Sequence, residues 1–165
     1  MKQSKILSPR HVGIIVDNLD VMIKFYIGLG LTLRRRDYES GDFVNHLLGT
    51  PAGFEMETAK LILTNEEIPF AFQFNLELMK IIKPEKITSN SPPSLPFDIA
   101  NKSSGLLDLA FTVEKLDTTI NFILKHGGSL VNTPMKAYVG FPAVHVYTKD
   151  PEGNILHLAE NLSDK

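Results

Sequence analysis

Two stretches of this chain repeat one pattern. "HVGIIVDNLDVMIKFYIGLG", from His11, aligns without a gap on "DLAFTVEKLDTTINFILKHG", from Asp108, at an offset of 97. Val16 matches Val113, Leu19 matches Leu116, Asp20 matches Asp117, Ile23 matches Ile120 and Phe25 matches Phe122. Identities clustered as V-x-x-L-D-x-x-I-x-F predict two structural units of one design.

Each copy carries the same physical signals. Val12, Ile14 and Val16 alternate, as do Leu107, Leu109, Phe111 and Val113, so each copy opens with a strand. A polar corner follows, with Asn18 or Asp20 in the first copy and Asp117 in the second as helix N-cap candidates. Ile23, Tyr26 and Ile27, and Ile120, Ile123 and Leu124, then recur at i, i+3, i+4 spacing, which predicts an amphipathic helix. Glycines close both helices: Gly28 and Gly30, then Gly127 and Gly128. Strand-like runs come next, at about 31–38, 59–64 and 72–81 in the first half and about 129–132, 142–148 and 154–160 in the second. "TKDPEGN" joins the last two, with Pro151 suited to turn position i+1 and Gly153 to a left-handed conformation. Both halves therefore read strand, helix, three strands.

The chain of 165 residues is read as a single domain, with module 1 at about 9–82, a linker at 83–104 rich in Pro, Ser and Asn, and module 2 at about 105–161. "ESGDFVNHLLGTPAGFEMET" in module 1 is an excursion of the kind that walls a pocket or makes a dimer contact.

Composition narrows the function. The net charge is −2 and the basic run is "RRR", Arg34–Arg36, so a nucleic-acid partner is not expected. That run reads as a solvated strand edge first and as an anion contact for a substrate second. There is no cysteine, hence no disulfide, thiolate metal site or thiol nucleophile. "MKQSKILSPRH" has no apolar run of signal-peptide or membrane-span length, which leads to the expectation of a cytoplasmic protein without a membrane partner.

The last strands of the two halves also match. "NLELMK" aligns on "ILHLAE" at an offset of 80, so Leu76 meets Leu156, Leu78 meets Leu158, and Glu77 meets His157. The first strands pair His11 with Asp108. All four polar residues fall on the strand face opposite the leucines and valines. If those apolar faces pack on the helices, the four share the other surface. Two imidazoles and two carboxylates suit a divalent first-row ion. Taken singly, a strand histidine is equally read as a packed, hydrogen-bonded residue, and a strand carboxylate as a solvated one.

"HVGIIVDNLDVMIKFYIGLGL", "NLELMK", "GLLDLAFTVEKLD" and "YTKDPEGNILHLAE", in this order over about residues 10–160, resemble the vicinal oxygen chelate superfamily of glyoxalases, bleomycin-resistance proteins and extradiol dioxygenases. The resemblance implies an α+β fold of two βαβββ modules forming a cupped mixed sheet, with helices on its convex side and a metal site within. It implies one ligand from the first and one from the last strand of each module: His11, Glu77, Asp108 and His157. In the usual order His, Glu or Gln, His, Glu, the second module is reversed, because Asp108 stands for His and His157 for Glu. The resemblance further implies a divalent ion (Zn, Ni, Co, Mn or Fe), a small-molecule substrate with vicinal oxygens, and a homodimer. The activity it implies is that of a glyoxalase- or epimerase-type isomerase or lyase, with a metal-stabilised enediolate and proton transfer. Glu77 and His145 are the catalytic candidates, Glu77 doubling as ligand and base. The alternatives are a non-haem Fe(II) dioxygenase using His11, Asp108 and His157, and a metal-free sequestering protein. In "AVHVYT", Val144 and Val146 suit the helix side, so His145 and Tyr147 are expected to face the site. His46 and Asn75 are weaker candidates, and His126 reads as a structural helix-end residue.

Overall fold

Each half of the repeat folds as its own α+β unit, Met1–Ile87 and Thr88–Lys165. The structure is a computed structural model that describes residues 8, 10–69, 72–84, 106–137 and 142–162. The first unit runs β1 (Val12–Ile15), α1 (Leu19–Gly28), β2 (Thr32–Ser40), α2 (Asp42–Leu48), β3 (Glu55–Ile62) and β4 (Asn75–Lys83). Its sheet has the order β1-β4-β3-β2, with β1 parallel to β4 and the other pairs antiparallel. The second unit runs β5 (Leu109–Thr112), α3 (Leu116–Lys125), β6 (Ser129–Leu130), β7 (Met135–Ala137), β8 (Ala143–Lys149) and β9 (Ile155–Asn161). There β5 lies parallel to β9, β9 antiparallel to β8, and β6 and β7 both pair with β8. The α+β class and the strand–helix–strands order expected from the repeat are present in both units. The 85–104 part of the expected linker lies outside the described residues.

The helices bury a stripe that begins one turn earlier than the spacing predicted. In α1, Leu19, Met22, Ile23, Phe25 and Tyr26 are buried, while Ile27 is 44% exposed. In α3, Leu116, Ile120 and Ile123 are buried and Leu124 is 46% exposed. The first helical residue of each, Leu19 or Leu116, already lies on the sheet, which turns the later Ile27 and Leu124 to water. Helix α1 packs on β3 and β4, where Leu61, Leu76 and Leu78 are fully buried. Helix α3 packs on β6, β8 and β9, over Val146, Leu156 and Leu158. Burying a leucine in this way is worth roughly 1.5–3 kcal/mol.

The two helix starts differ. Asn18 caps α1 as expected, its Oδ1 accepting from the Val21 N–H at 3.2 Å. Asp117 does not cap α3. Lys115 holds the cap position without a side-chain bond, and the Glu160 carboxylate of β9 accepts from the Leu116 N–H at 2.5 Å. A carboxylate at a helix N-terminus also faces the positive end of the helix dipole.

Strand limits shift for local reasons. β3 starts at Glu55, and α2 occupies part of the excursion. β4 starts at Asn75 because Gln73 is turned into the preceding loop, its amide donating to the carbonyls of Asn65 and Ile68. In the second unit the place of β2 is filled by two short strands. The chain breaks pairing at "NTP", where Pro134 has no N–H to give, and the Asn132 side chain bonds the Tyr147 N–H instead. The hairpin before β9 is tight as predicted: Gly153 has φ +92°, and the Asp150 carboxylate accepts from the Glu152 and Asn154 N–H groups. No helix among the described residues is long and apolar enough to cross a membrane.

Candidate functional site

Strand register decides which side chains meet. In the first unit Val12 pairs with Leu76 and Ile14 with Leu78, so these share the helix-covered face. Gly13 pairs with Glu77, which puts His11, Gly13 and Glu77 on the other face. His11 Nε2 lies 3.1 Å from Glu77 Oε2, and the position of a Gly13 side chain is taken by Met79. Glu77 is buried, at 8% exposure. Its other oxygen, Oε1, lies 3.1 Å from the Lys60 ammonium, and Lys60 is the residue directly opposite Glu77 on β3. Glu77 is thus held between an imidazole and a cation.

The second unit repeats the layout with other chemistry. Leu109 pairs with Leu156 and Phe111 with Leu158 on the core side. Ala110, another small residue, pairs with His157, and Tyr147 is directly opposite His157 on β8. The Tyr147 ring stacks on His157 with centroids 4.6 Å apart and planes 17° apart. His145, next along the same face, places Nδ1 at 2.9 Å from His157 Nε2, its ring also stacked on His157. Burial and the Asp108 charge push the Tyr147 phenol up, so it stays a protonated donor. Burial, reinforced by the neighbouring His145 and opposed by Asp108, pulls the His157 imidazole below its ordinary value. A neutral imidazole is the form that binds metals and moves protons.

These contacts test the expected metal chemistry. Two ligand atoms at right angles on an ion with bonds of ~2.1 Å stand about 3 Å apart. The His11–Glu77 spacing of 3.1 Å matches that edge, with nitrogen and oxygen donors. Among the described residues, no group of three or more His, Cys, Asp or Glu side chains is arranged to hold a metal ion.

The structure thus brings together His11 with Glu77, and His157 with His145 and Tyr147. His46 is elsewhere: it sits on α2 and lines a cavity of about 490 Å³ with Asp42, Asn45, Gly49, Thr50 and Ala52. Asn75 serves the chain locally, its amide donating to the Gln73 carbonyl. His126 closes α3 as expected of a structural residue, Nδ1 on the Phe122 carbonyl at 2.7 Å and the ring stacked on Phe122. The arginine run forms surface ion pairs, Arg35 with Asp37 and Arg36 with Asp20 and Glu57, in keeping with a solvated strand edge. Lys60 is the residue that pattern reading missed. Its signal is its register opposite Glu77, and register is not visible in a single strand's sequence.

Comparison with known proteins agrees with this fold. The profile of the Glyoxalase/Bleomycin resistance protein/Dioxygenase superfamily matches residues 8–158. A glyoxalase family protein from Bacillus cereus is similar in structure over 99% of both chains, with a TM-score of 0.78 and 27% identity. A glyoxalase family protein from Enterococcus faecalis is similar over 91% of this chain and 94% of its own, with a TM-score of 0.53 and 22% identity. Glyoxalase I from Zea mays is similar over 92% of this chain but only 46% of its own, with a TM-score of 0.57 and 21% identity. No curated protein sequence matches the chain. Paired strand–helix–strands units and a profile match over nearly the whole chain give one conclusion: this protein belongs to the glyoxalase, bleomycin-resistance and dioxygenase superfamily.

Proposed function

We propose that this protein is a divalent-metal-dependent isomerase or lyase acting on a small metabolite with two vicinal oxygens. The ion (Zn, Ni, Co, Mn or Fe) takes His11, Glu77, Asp108 and His157 as its ligands. The observation that carries the reading is the 3.1 Å approach of His11 Nε2 to Glu77 Oε2, two donors from the first and last strands of one sheet spaced as ligands of one ion. Asp108 and His157 hold the same strand positions in the second unit.

When bound, the ion supplies Lewis-acid polarisation of the substrate oxygens. The chain's own groups handle the proton. Glu77 takes it from the carbon next to the carbonyl, with Lys60 fixing the carboxylate through Oε1. Glu77 gives the same proton back to the adjacent carbon, and His145, in contact with His157 and half-buried, is the further proton-transfer group of this reading. In this reading the protein works in the cytoplasm as a homodimer.

A second reading is favoured by one observation. The Lys60 ammonium already neutralises Glu77, which a metal-free sequestering protein would require. Proton exchange separates the two. Small α-hydroxycarbonyl metabolites are incubated with the protein in D2O and followed by NMR, before and after metal depletion. Exchange at the α-carbon that stops on depletion and returns with metal supports the enzyme. Saturable ligand binding with no exchange in either state replaces it with the sequestering protein.

A further inference from the structure

Helix α2 is the helix that the repeat does not account for. Among the described residues the second unit has no helix between α3 and β9, so the fold does without α2 in one of its two copies. The helix is nevertheless firmly seated. Val44 is buried with Phe54 and Met56, and Ile81 packs against them. Gly49 ends the helix in the left-handed conformation, its N–H donating to the Asn45 carbonyl. With Val44 turned inward, Asp42, Asn45, His46 and Gly49 fall at i, i+3, i+4 and i+7 on the opposite face. That polar face, with Thr50 and Ala52, lines the cavity of about 490 Å³. Where a Gly49 Cβ would stand, no atom lies within 4 Å. Two polar atoms of the lining residues, Asn45 Oδ1 and Thr50 Oγ1, are buried, and no group of the described residues hydrogen-bonds either. Buried polar atoms are costly unless something meets them, so each one calls for an occupant.

We propose that this cavity is a second binding site, for a small organic molecule that carries a primary ammonium group. The Asp42 carboxylate supplies negative charge, and no Lys or Arg of the described residues lines the cavity to offset it. The Asn45 amide oxygen only accepts and the Thr50 hydroxyl can accept, so the occupant has to bring the donors. A primary ammonium brings N–H donors and no acceptor, which suits Asp42, Asn45 and Thr50 together. The volume falls in the range of small-molecule cavities, about 300–1,000 Å³, and is far too large for a bare ion. The site lies in the first unit alone and does not depend on the metal-dependent reading above.

The test is an NMR titration of the full chain with 2-phenylethylammonium. The companion probes 2-phenylethanol and phenylacetate carry the same ring without the positive charge. Backbone amide shifts are followed in the wild type, Asp42→Asn and Thr50→Val, with thermal unfolding as the folding check. In the wild type the ammonium probe should give saturable shifts at Asn45, His46, Gly49 and Thr50, and phenylacetate should give none. The alcohol should bind about tenfold more weakly, for want of charge-assisted hydrogen bonds. Asp42→Asn and Thr50→Val should each weaken the ammonium probe about tenfold, as for loss of a hydrogen bond to a charged group. Thr50→Val removes an orphaned atom and keeps the shape, so its ligand-free melting temperature should be no lower than that of the wild type. The inference is overturned by wild-type shifts that are absent from residues 42–50, by an alcohol that binds as tightly as the ammonium, or by folded variants that both keep wild-type affinity.

Discussion

Glu77 and His157 occupy one position in two sheets, and what surrounds each is matched to its charge. Glu77 is met by Lys60 and His11, and His157 by Tyr147 and His145. The pull on His157 has a consequence for stability. Its imidazole is held below the ordinary value by burial, then by His145, against Asp108. The unfolded chain, with an ordinary imidazole near 6.5, therefore takes up this proton first. The contribution to stability is present above that value and is lost as pH falls through it toward the folded one. Metal-free wild type should lose more urea stability between about pH 8 and pH 5 than His157→Gln does. Equal losses would show that His157 is not depressed. The four proposed ligands were legible in the sequence because a repeat aligns them. Their partners Lys60 and Tyr147 form an equivalent pair that neither offset, 97 or 80, brings into line, because loop lengths between strands differ in the two halves.

At the scale of elements, the two helices show how similar sequences reach one fold by different local means. α1 starts on Asn18, a signal readable three residues from its target. α3 starts on Glu160, which is 44 residues away along the chain and comes near only through the β5–β9 pairing. A near-neighbour cap could be read from the sequence; a tertiary one could not. The interrupted edge of the second sheet was missed similarly, since two- and three-residue strands carry no periodicity of their own. Glu160→Ala should cost about 1 kcal/mol in denaturant unfolding, as for loss of a helix cap, and Asn18→Ala about the same. No change in Glu160→Ala would mean that the Leu116 N–H is satisfied by water.

For the whole molecule, the repeat made the strand–helix–strands order along the chain legible, because alternating valines and leucines allow one inward face per strand. In the first unit His11 and Glu77 present two donor atoms 3.1 Å apart, too few to hold an ion firmly. The proposal to be tested is that His11, Glu77, Asp108 and His157 are ligands of a divalent ion. The direct measurement is metal stoichiometry by elemental analysis of untagged protein, for the wild type, His11→Ala and His157→Ala, with folding checked in each. The account predicts about one ion per chain in the wild type and its loss from both variants, though each removes a ligand from a different unit. A wild type without a divalent ion, or a folded variant of either unit that keeps the full complement, would contradict it.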